Sequence, residues 1–149
     1  MRAVVQRVRR ASARVDTSVV GTIELGLLVF LGVGRDDTVS DVLYIADKLC
    51  NLRLFADVNG KMNLSVREAN GAVLIVSQFT LFGDCRRGRR PSYISAARPD
   101  AARVFYQAVV SHVRKAGINV QTGQFQATMD IDSVNDGPVT VLLDSSRAF

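Results

Sequence analysis

Val4, Gln6 and Val8 alternate with Val5 and Arg7 along residues 3–15, the two-residue period of a strand with one face toward a core. A hairpin partner is predicted around 18–24, turning near Gly21. Residues 27–31 are a continuous apolar run and read as a buried strand. The period then changes. Val39, Val42, Leu43, Ala46, Leu49 and Cys50 share one helical face, and Thr38 with Asp41 has capping-box spacing. Strands at 53–57 and 62–64 flank Asn59-Gly60, a strong hairpin signal. A second Asn-Gly, at 70–71, introduces 72–76, a central buried strand by composition. Residues 83–98 are polar, arginine-rich and irregular.

Pro99 and Asp100 open a second helix. Its predicted apolar face carries Ala101, Val104, Phe105, Ala108, Val109, His112, Val113 and Ala116, and Gly117 caps it beyond Arg114 and Lys115. Strands near 118–121, 125–134 and 139–144 complete the chain. Two helices among many strands with tight hairpins predict an α+β fold with a mostly antiparallel sheet.

The 149 residues fit one domain, 1–149, and a 48% apolar content suffices for a core at this length. No apolar run reaches the roughly 18 residues that span a bilayer, and the charged, alternating N-terminus is unlike a signal peptide. Cys50 and Cys85 make no disulfide framework, so a cytoplasmic protein is expected. The net charge is +5, with 16 arginines against three lysines. Arginine forks match phosphate geometry. That balance fits a nucleic-acid partner and equally a merely basic protein.

His112 is the one histidine and falls on the predicted apolar face, so it reads as a core or interface residue. With two scattered cysteines there is no zinc spacing, and no metal is expected. There is no nucleophile elbow, phosphate-cradling loop or dinucleotide fingerprint. Three features remain. Ser77-Gln78-Phe79-Thr80-Leu81 ends the buried strand, either placing polar groups for a ligand or simply capping it. Asn135-Asp136-Gly137-Pro138-Val139-Thr140 reads locally as a hairpin turn, with Pro138 opening a strand. Arg86, Arg87, Arg89 and Arg90 crowd one loop, which either awaits an anion or is solvated.

Together these residues resemble the D-aminoacyl-tRNA deacylase family over essentially the whole chain. The resemblance runs from Val-Val-Gln-Arg-Val (4–8) through Leu-Gly-Val (31–33), Lys48-Leu49, Asn51-Leu52-Arg53 and Ser-Gln-Phe-Thr-Leu (77–81). It continues with Gly83-Asp84, Arg87-Gly88 and Arg90-Pro91-Ser92, and ends with Asn-Asp-Gly-Pro-Val-Thr (135–140). Gln126 stands where the family commonly has glycine, and Tyr93 where phenylalanine is usual.

The resemblance implies a homodimer with a barrel-like sheet, its two sites at the subunit interface and the glycine-proline bond cis. It implies hydrolysis of the ester between a D-amino acid, or mischarged glycine, and the 3′-terminal adenosine of tRNA, with no cofactor. Ser77, Gln78, Phe79 and Thr80 would serve the ester. Gly137, Pro138, Met129, Phe125, Ala102 and Arg7 would contact the substrate, and Arg86, Arg87, Arg89 and Arg90 the tRNA. Two other readings stay open: a nucleic-acid-binding module without catalysis, and a threonine-dependent hydrolase of small esters or amides.

Overall fold

The computed structural model describes residues 1–148. Its elements in chain order are β1 (Arg2–Val15), β2 (Ser18–Ile23), β3 (Gly26–Gly32), α1 (Val39–Asn51), β4 (Phe55–Ala56), β5 (Met62–Leu64) and β6 (Ala72–Ser77), followed by α2 (Pro99–Lys115), β7 (Asn119–Thr122) and β8 (Asp130–Asp144). A 3₁₀ turn, Phe79–Phe82, follows β6. The main sheet runs β2-β1-β3-β6-β7, with β8 on the other edge of β1. Gly21 sits where β2 passes β7: a Cβ there would meet the Thr122 carbonyl oxygen at 2.5 Å. The sheet is therefore nearly closed, and the fold is α+β with two helices.

β1 pairs antiparallel with β2, β3 and β8, but β3–β6 and β6–β7 are parallel. Parallel neighbours need long crossovers, and the segments carrying α1 and α2 supply them. Strands buried on both faces read as continuous apolar runs rather than alternating ones. So it is here. Leu27, Leu31, Val73 and Ile75 face the helices, while Leu28, Leu74 and Val76 face the barrel interior with Val8 and Ala11. Each such side chain contributes about 1.5–3 kcal/mol by leaving water.

Four local expectations are corrected. The β1–β2 turn lies at Asp16-Thr17, not Gly21, which pairs with Ala13 inside β2. Residues 125–129 are irregular, and the strand begins at Asp130. Residues 135–140 form no hairpin. The flanks on either side pair with the same strand, β1, in one direction. Both helix faces are also rotated. α1 buries Val42, Ile45, Ala46, Leu49 and Cys50, leaving Val39 and Leu43 64% and 47% exposed. α2 buries Tyr106, Val109, Val110 and Val113, whereas Ala101, Val104 and His112 are exposed. His112 is thus no core residue; its Nδ1 lies 2.8 Å from the Ala108 carbonyl oxygen. The cause in α2 is Tyr106, whose hydroxyl donates to the Ile75 carbonyl at 2.7 Å and turns its own face inward.

The capping box holds: the Asp41 carboxylate accepts from the Thr38 N–H at 2.7 Å and from its hydroxyl at 2.7 Å. Among the described residues no helix is long and apolar enough to cross a membrane.

The rotated face of α1 makes a direct comparison. Leu49→Ala is expected to lose about 2–5 kcal/mol in urea unfolding, and Leu43→Ala about 0.5 kcal/mol or less.

Candidate active site

β6 stops at Ser77, and Gln78 is still tied to the end of β3 by its N–H to the Leu31 carbonyl at 2.8 Å. The chain then tightens into the 3₁₀ turn, where Leu81 N–H reaches the Gln78 carbonyl and Gly83 N–H the Thr80 carbonyl. The first N–H groups of such a turn, those of Phe79 and Thr80, have no partner within it. The Gln78 side-chain amide donates to the Thr80 hydroxyl. Phe79 is 56% exposed and meets Tyr93 edge to face, ring centroids 5.1 Å apart.

Arg2 holds the turn from below. Its Nη1 donates to the Leu81 carbonyl at 3.0 Å, its guanidinium lies 4.7 Å from the Phe82 ring centre, and its Nε pairs with Asp144 at 3.0 Å. Burial opposes ionisation of Asp144, but hydrogen bonds from Ser146 and Arg2 outweigh it and hold the carboxyl below its ordinary range. Sequence spacing gives no signal for Arg2, because its partners lie 79 and 142 residues away.

Beside the turn opens a cavity of about 700 Å³, within the size range of small-molecule sites. Ser77, Gln78 and Phe79 form one wall; Ala102 and Tyr106 of α2, Phe125 and Met129 form the other. Six of the residues singled out from sequence are thus brought together. Thr80 does not line the cavity, although Gln78 links to it. Tyr93 and Tyr106 line it too and have no site role from sequence: Tyr93 stands out only as a departure from the family in an irregular segment, and Tyr106 falls off the predicted helix face. Gln126 has φ +66, a backbone state natural to glycine. Its Oε1 accepts from Arg103 Nη2 at 3.0 Å.

Gly137, Pro138 and Arg7 lie elsewhere, in the middle of the β1–β8 pairing. Gln6 pairs with Thr140 and Val8 with Asn135, so residues 136–139 bulge opposite Arg7 alone. Asn135 Nδ2 clamps the bulge, donating to the carbonyls of Arg7 at 3.1 Å and Val139 at 3.0 Å. The Gly137-Pro138 bond is cis, and Gly137 has φ +125. A Cβ at Gly137 would lie 2.9 Å from Val139 Cγ2 and 3.0 Å from Arg7 Nη2. Arg7 is anchored by the Leu54 carbonyl at 2.6 Å. Its Nε lies 3.1 Å from the Asp136 carboxylate as an ion pair without hydrogen-bond geometry. Gly137 and Pro138 themselves are exposed.

In the arginine loop, Arg86 is held by Asp84, with contacts of 2.9 and 2.7 Å. Hydrogen bonds from the Arg86 side chain and N–H push the Asp84 carboxyl far below its ordinary range. Arg87, Arg89 and Arg90 are exposed. Among the described residues no three His, Cys, Asp or Glu side chains cluster as metal ligands.

Comparison with known proteins shows the family of the chain. The family model described as D-Tyr-tRNA(Tyr) deacylase matches residues 4–144. D-aminoacyl-tRNA deacylases of Thermotoga petrophila and Anaeromyxobacter dehalogenans are 57% and 58% identical over 149 residues, covering 100% of this chain and of each relative. The solved c-Myc DNA Unwinding Element Binding Protein is 36% identical, with a TM-score of 0.91 over 97% of this chain and 98% of that one. A probable eukaryotic D-amino acid tRNA deacylase shares the fold at 17% identity, with a TM-score of 0.84 over 95% of this chain and 97% of that one. The chain belongs to the D-Tyr-tRNA(Tyr) deacylase family, the D-aminoacyl-tRNA deacylases, which are hydrolases.

Proposed function

We propose that this chain hydrolyses the ester joining a D-amino acid to the 3′-terminal adenosine of tRNA, removes mischarged glycine by the same route, and rejects L-aminoacyl esters. It acts as one domain in the cytoplasm and as a homodimer. The observation that carries the reading is the strand end at Ser77, where the 3₁₀ turn, whose leading N–H groups have no partner within it, begins beside an apolar cavity. Donors fixed this way stabilise a developing oxyanion, and each is worth about 2.7–4 kcal/mol in comparable sites. A D-configured or glycyl ester presents the same carbonyl to them.

Such an enzyme meets many side chains, and one methylene in a pocket discriminates by only about 1–3 kcal/mol. Selection must therefore act at Cα. The Gly137-Pro138 bulge is suited to it, because its shape is set by backbone and by Arg7 rather than by a replaceable side chain. It lies outside the cavity of its own chain. β8 pairs with β1 alone among the described residues and leaves a long open edge, carrying Leu142 at 58% exposure. Long open edges are normally covered. A second copy covering this one would bring the partner's bulge to the site, crowding the place of an L side chain and leaving a D side chain free. Arg87, Arg89 and Arg90 would contact phosphates of the acceptor stem.

Thr80 acts here as a positioning group. A hydroxyl nucleophile needs a base, whereas Thr80 receives a hydrogen bond from the Gln78 amide, which takes no proton. Water attacks the already activated ester, assisted by the ribose 2′-hydroxyl.

The deciding assay sets D-aminoacyl-tRNA against a free D-amino-acid ester. The proposal expects turnover strongly favouring the tRNA ester. A pure binding module gives none, and a small-ester hydrolase gains nothing from the tRNA. Thr80→Ala should keep turnover within about tenfold, while a 2′-deoxy substrate loses most of it, as measured by single-turnover deacylation; complete loss in Thr80→Ala with intact binding would favour the covalent route. Gly137→Ala forces a side chain into Val139 and Arg7 and should displace the bulge. L-aminoacyl-tRNA hydrolysis should then rise at least tenfold relative to D, with dimerisation checked by sedimentation. Undiminished rejection of L-substrates defeats the chirality assignment.

A further inference from the structure

A second space lies on the far side of Phe125 from the cavity beside the β6 turn. It is a groove of about 670 Å³ that runs along α2, bordered by Gln107, Ser111, Arg114 and Lys115 on the helix and by Thr122 and Gly123 beyond β7. Tyr106 and Phe125 line both spaces, their ring centroids 5.6 Å apart, so cavity and groove share one aromatic wall.

Cationic side chains mark the two ends of this path. Arg103 stands over the shared wall, its guanidinium 4.9 Å from the Phe125 ring centre and pinned to Gln126. At 3.6 residues per turn and about 1.5 Å per residue, Arg114 lies on nearly the same side of α2, roughly 16 Å farther along. Its Nη2 donates to the Val120 carbonyl at 3.0 Å, which fixes the guanidinium and leaves its other N–H groups available. Lys115 lies beside it, exposed. Among the described residues no acidic side chain borders the groove.

Basic residues at a helix C-terminus are common for a structural reason, since they complement the negative end of the helix dipole. That explains Arg114 and Lys115 as sequence choices. It does not explain Arg103, four residues into the helix, nor an acid-free groove that shares an aromatic wall with the cavity. The dipole also repels an anion at this end, so any anion held here is held by the side-chain charges.

We propose that the groove takes the sugar-phosphate backbone of the nucleotides immediately preceding the esterified 3′ end, so that the acceptor strand passes Phe125 under Arg103 and runs along α2 to Arg114 and Lys115. This rests on the tRNA reading above: an ester at the end of a phosphodiester chain needs an exit for that chain. Phosphate contacts carry no sequence information, which suits an enzyme that meets tRNAs of many sequences. The span of about 16 Å matches roughly five phosphates at ~3.4 Å per nucleotide along a stacked strand.

The test pairs two measurements on the full-length protein. In the first, uncharged tRNA is titrated at several salt concentrations against wild type and R114Q/K115Q. Loss of two phosphate contacts should weaken binding about tenfold at low salt and lower the salt slope by about 0.7–0.9 per contact. In the second, D-tyrosyl-adenosine, which has no phosphate to lose, is hydrolysed by both proteins, and the loss should be confined to the polynucleotide substrate. Lys115→Glu, which keeps the Arg114–Val120 hydrogen bond, guards against a folding defect and should show the same selective loss. Unchanged tRNA affinity and slope overturn the groove, as does equal loss on tRNA and on D-tyrosyl-adenosine. Failure of the wild type to deacylate D-tyrosyl-tRNA would sink the proposed function instead, while the binding titration still decides the groove.

Discussion

The parallel pairing of β3 with β6 is the constraint from which the site follows. Both strands are buried on both faces, against the helices on one side and the barrel interior on the other, so neither can shift register without moving apolar side chains into polar surroundings. The last paired residues are Leu31 and Ser77, and one further hydrogen bond, from Gln78 to Leu31, ends the ladder. The position of the 3₁₀ turn is therefore fixed by the core beneath it. Arg2, reaching up from the first strand to Leu81 and Phe82, fixes it again from the side.

The opposite edge is organised differently. β8 follows β1 for nearly its whole length, yet carries four residues against Arg7 at one point. A bulge of this size persists when its backbone groups are satisfied, and Asn135 does that by binding the carbonyls on both flanks. Arg7 fills the space beneath, held by Leu54 and Asp136. The chain thus has two backbone features, a 3₁₀ turn at the end of the inner strand β6 and a protruding glycine-proline bulge on the outer strand β8. Two copies are needed to bring them together in the proposed reading.

The arginines divide by environment, although composition counts them alike. Arg2 and Arg7 are structural cations, engaged by carbonyls and carboxylates. Arg86 is matched by Asp84. The exposed cationic surface includes the tip of the 86–90 loop and the side of α2 from Arg103 to Lys115, besides scattered arginines such as Arg10 and Arg67. Only surface charges of that kind meet a polyanion in solution. The net charge of +5 says little about which they are.

Much of the architecture was legible in the order of residues. Apolar runs at 27–31 and 72–76 were read as buried strands because nothing but burial explains five apolar residues in succession, and the Thr38–Asp41 box and Pro99 marked the helix starts because caps are local chemistry. The Ser77–Leu81 and 135–140 segments stood out as motifs, but each alone had an ordinary local reading. What the sequence could not decide was anything set by a distant partner. It left β3–β6 and β6–β7 direction open, since an apolar run looks the same in either. It rotated α2 wrongly, since Val104 and Tyr106 are both apolar enough to face inward and only the Ile75 carbonyl selects Tyr106. It read 135–140 as a hairpin, since a glycine-proline turn and a bulge share local signals and differ only in whether both flanks find the same neighbour. Local propensity and periodicity belong to the chain itself; direction, facing and the joining of Ser77, Phe125 and Met129 around one cavity depend on which surfaces meet, and that is decided only by the packed tertiary structure.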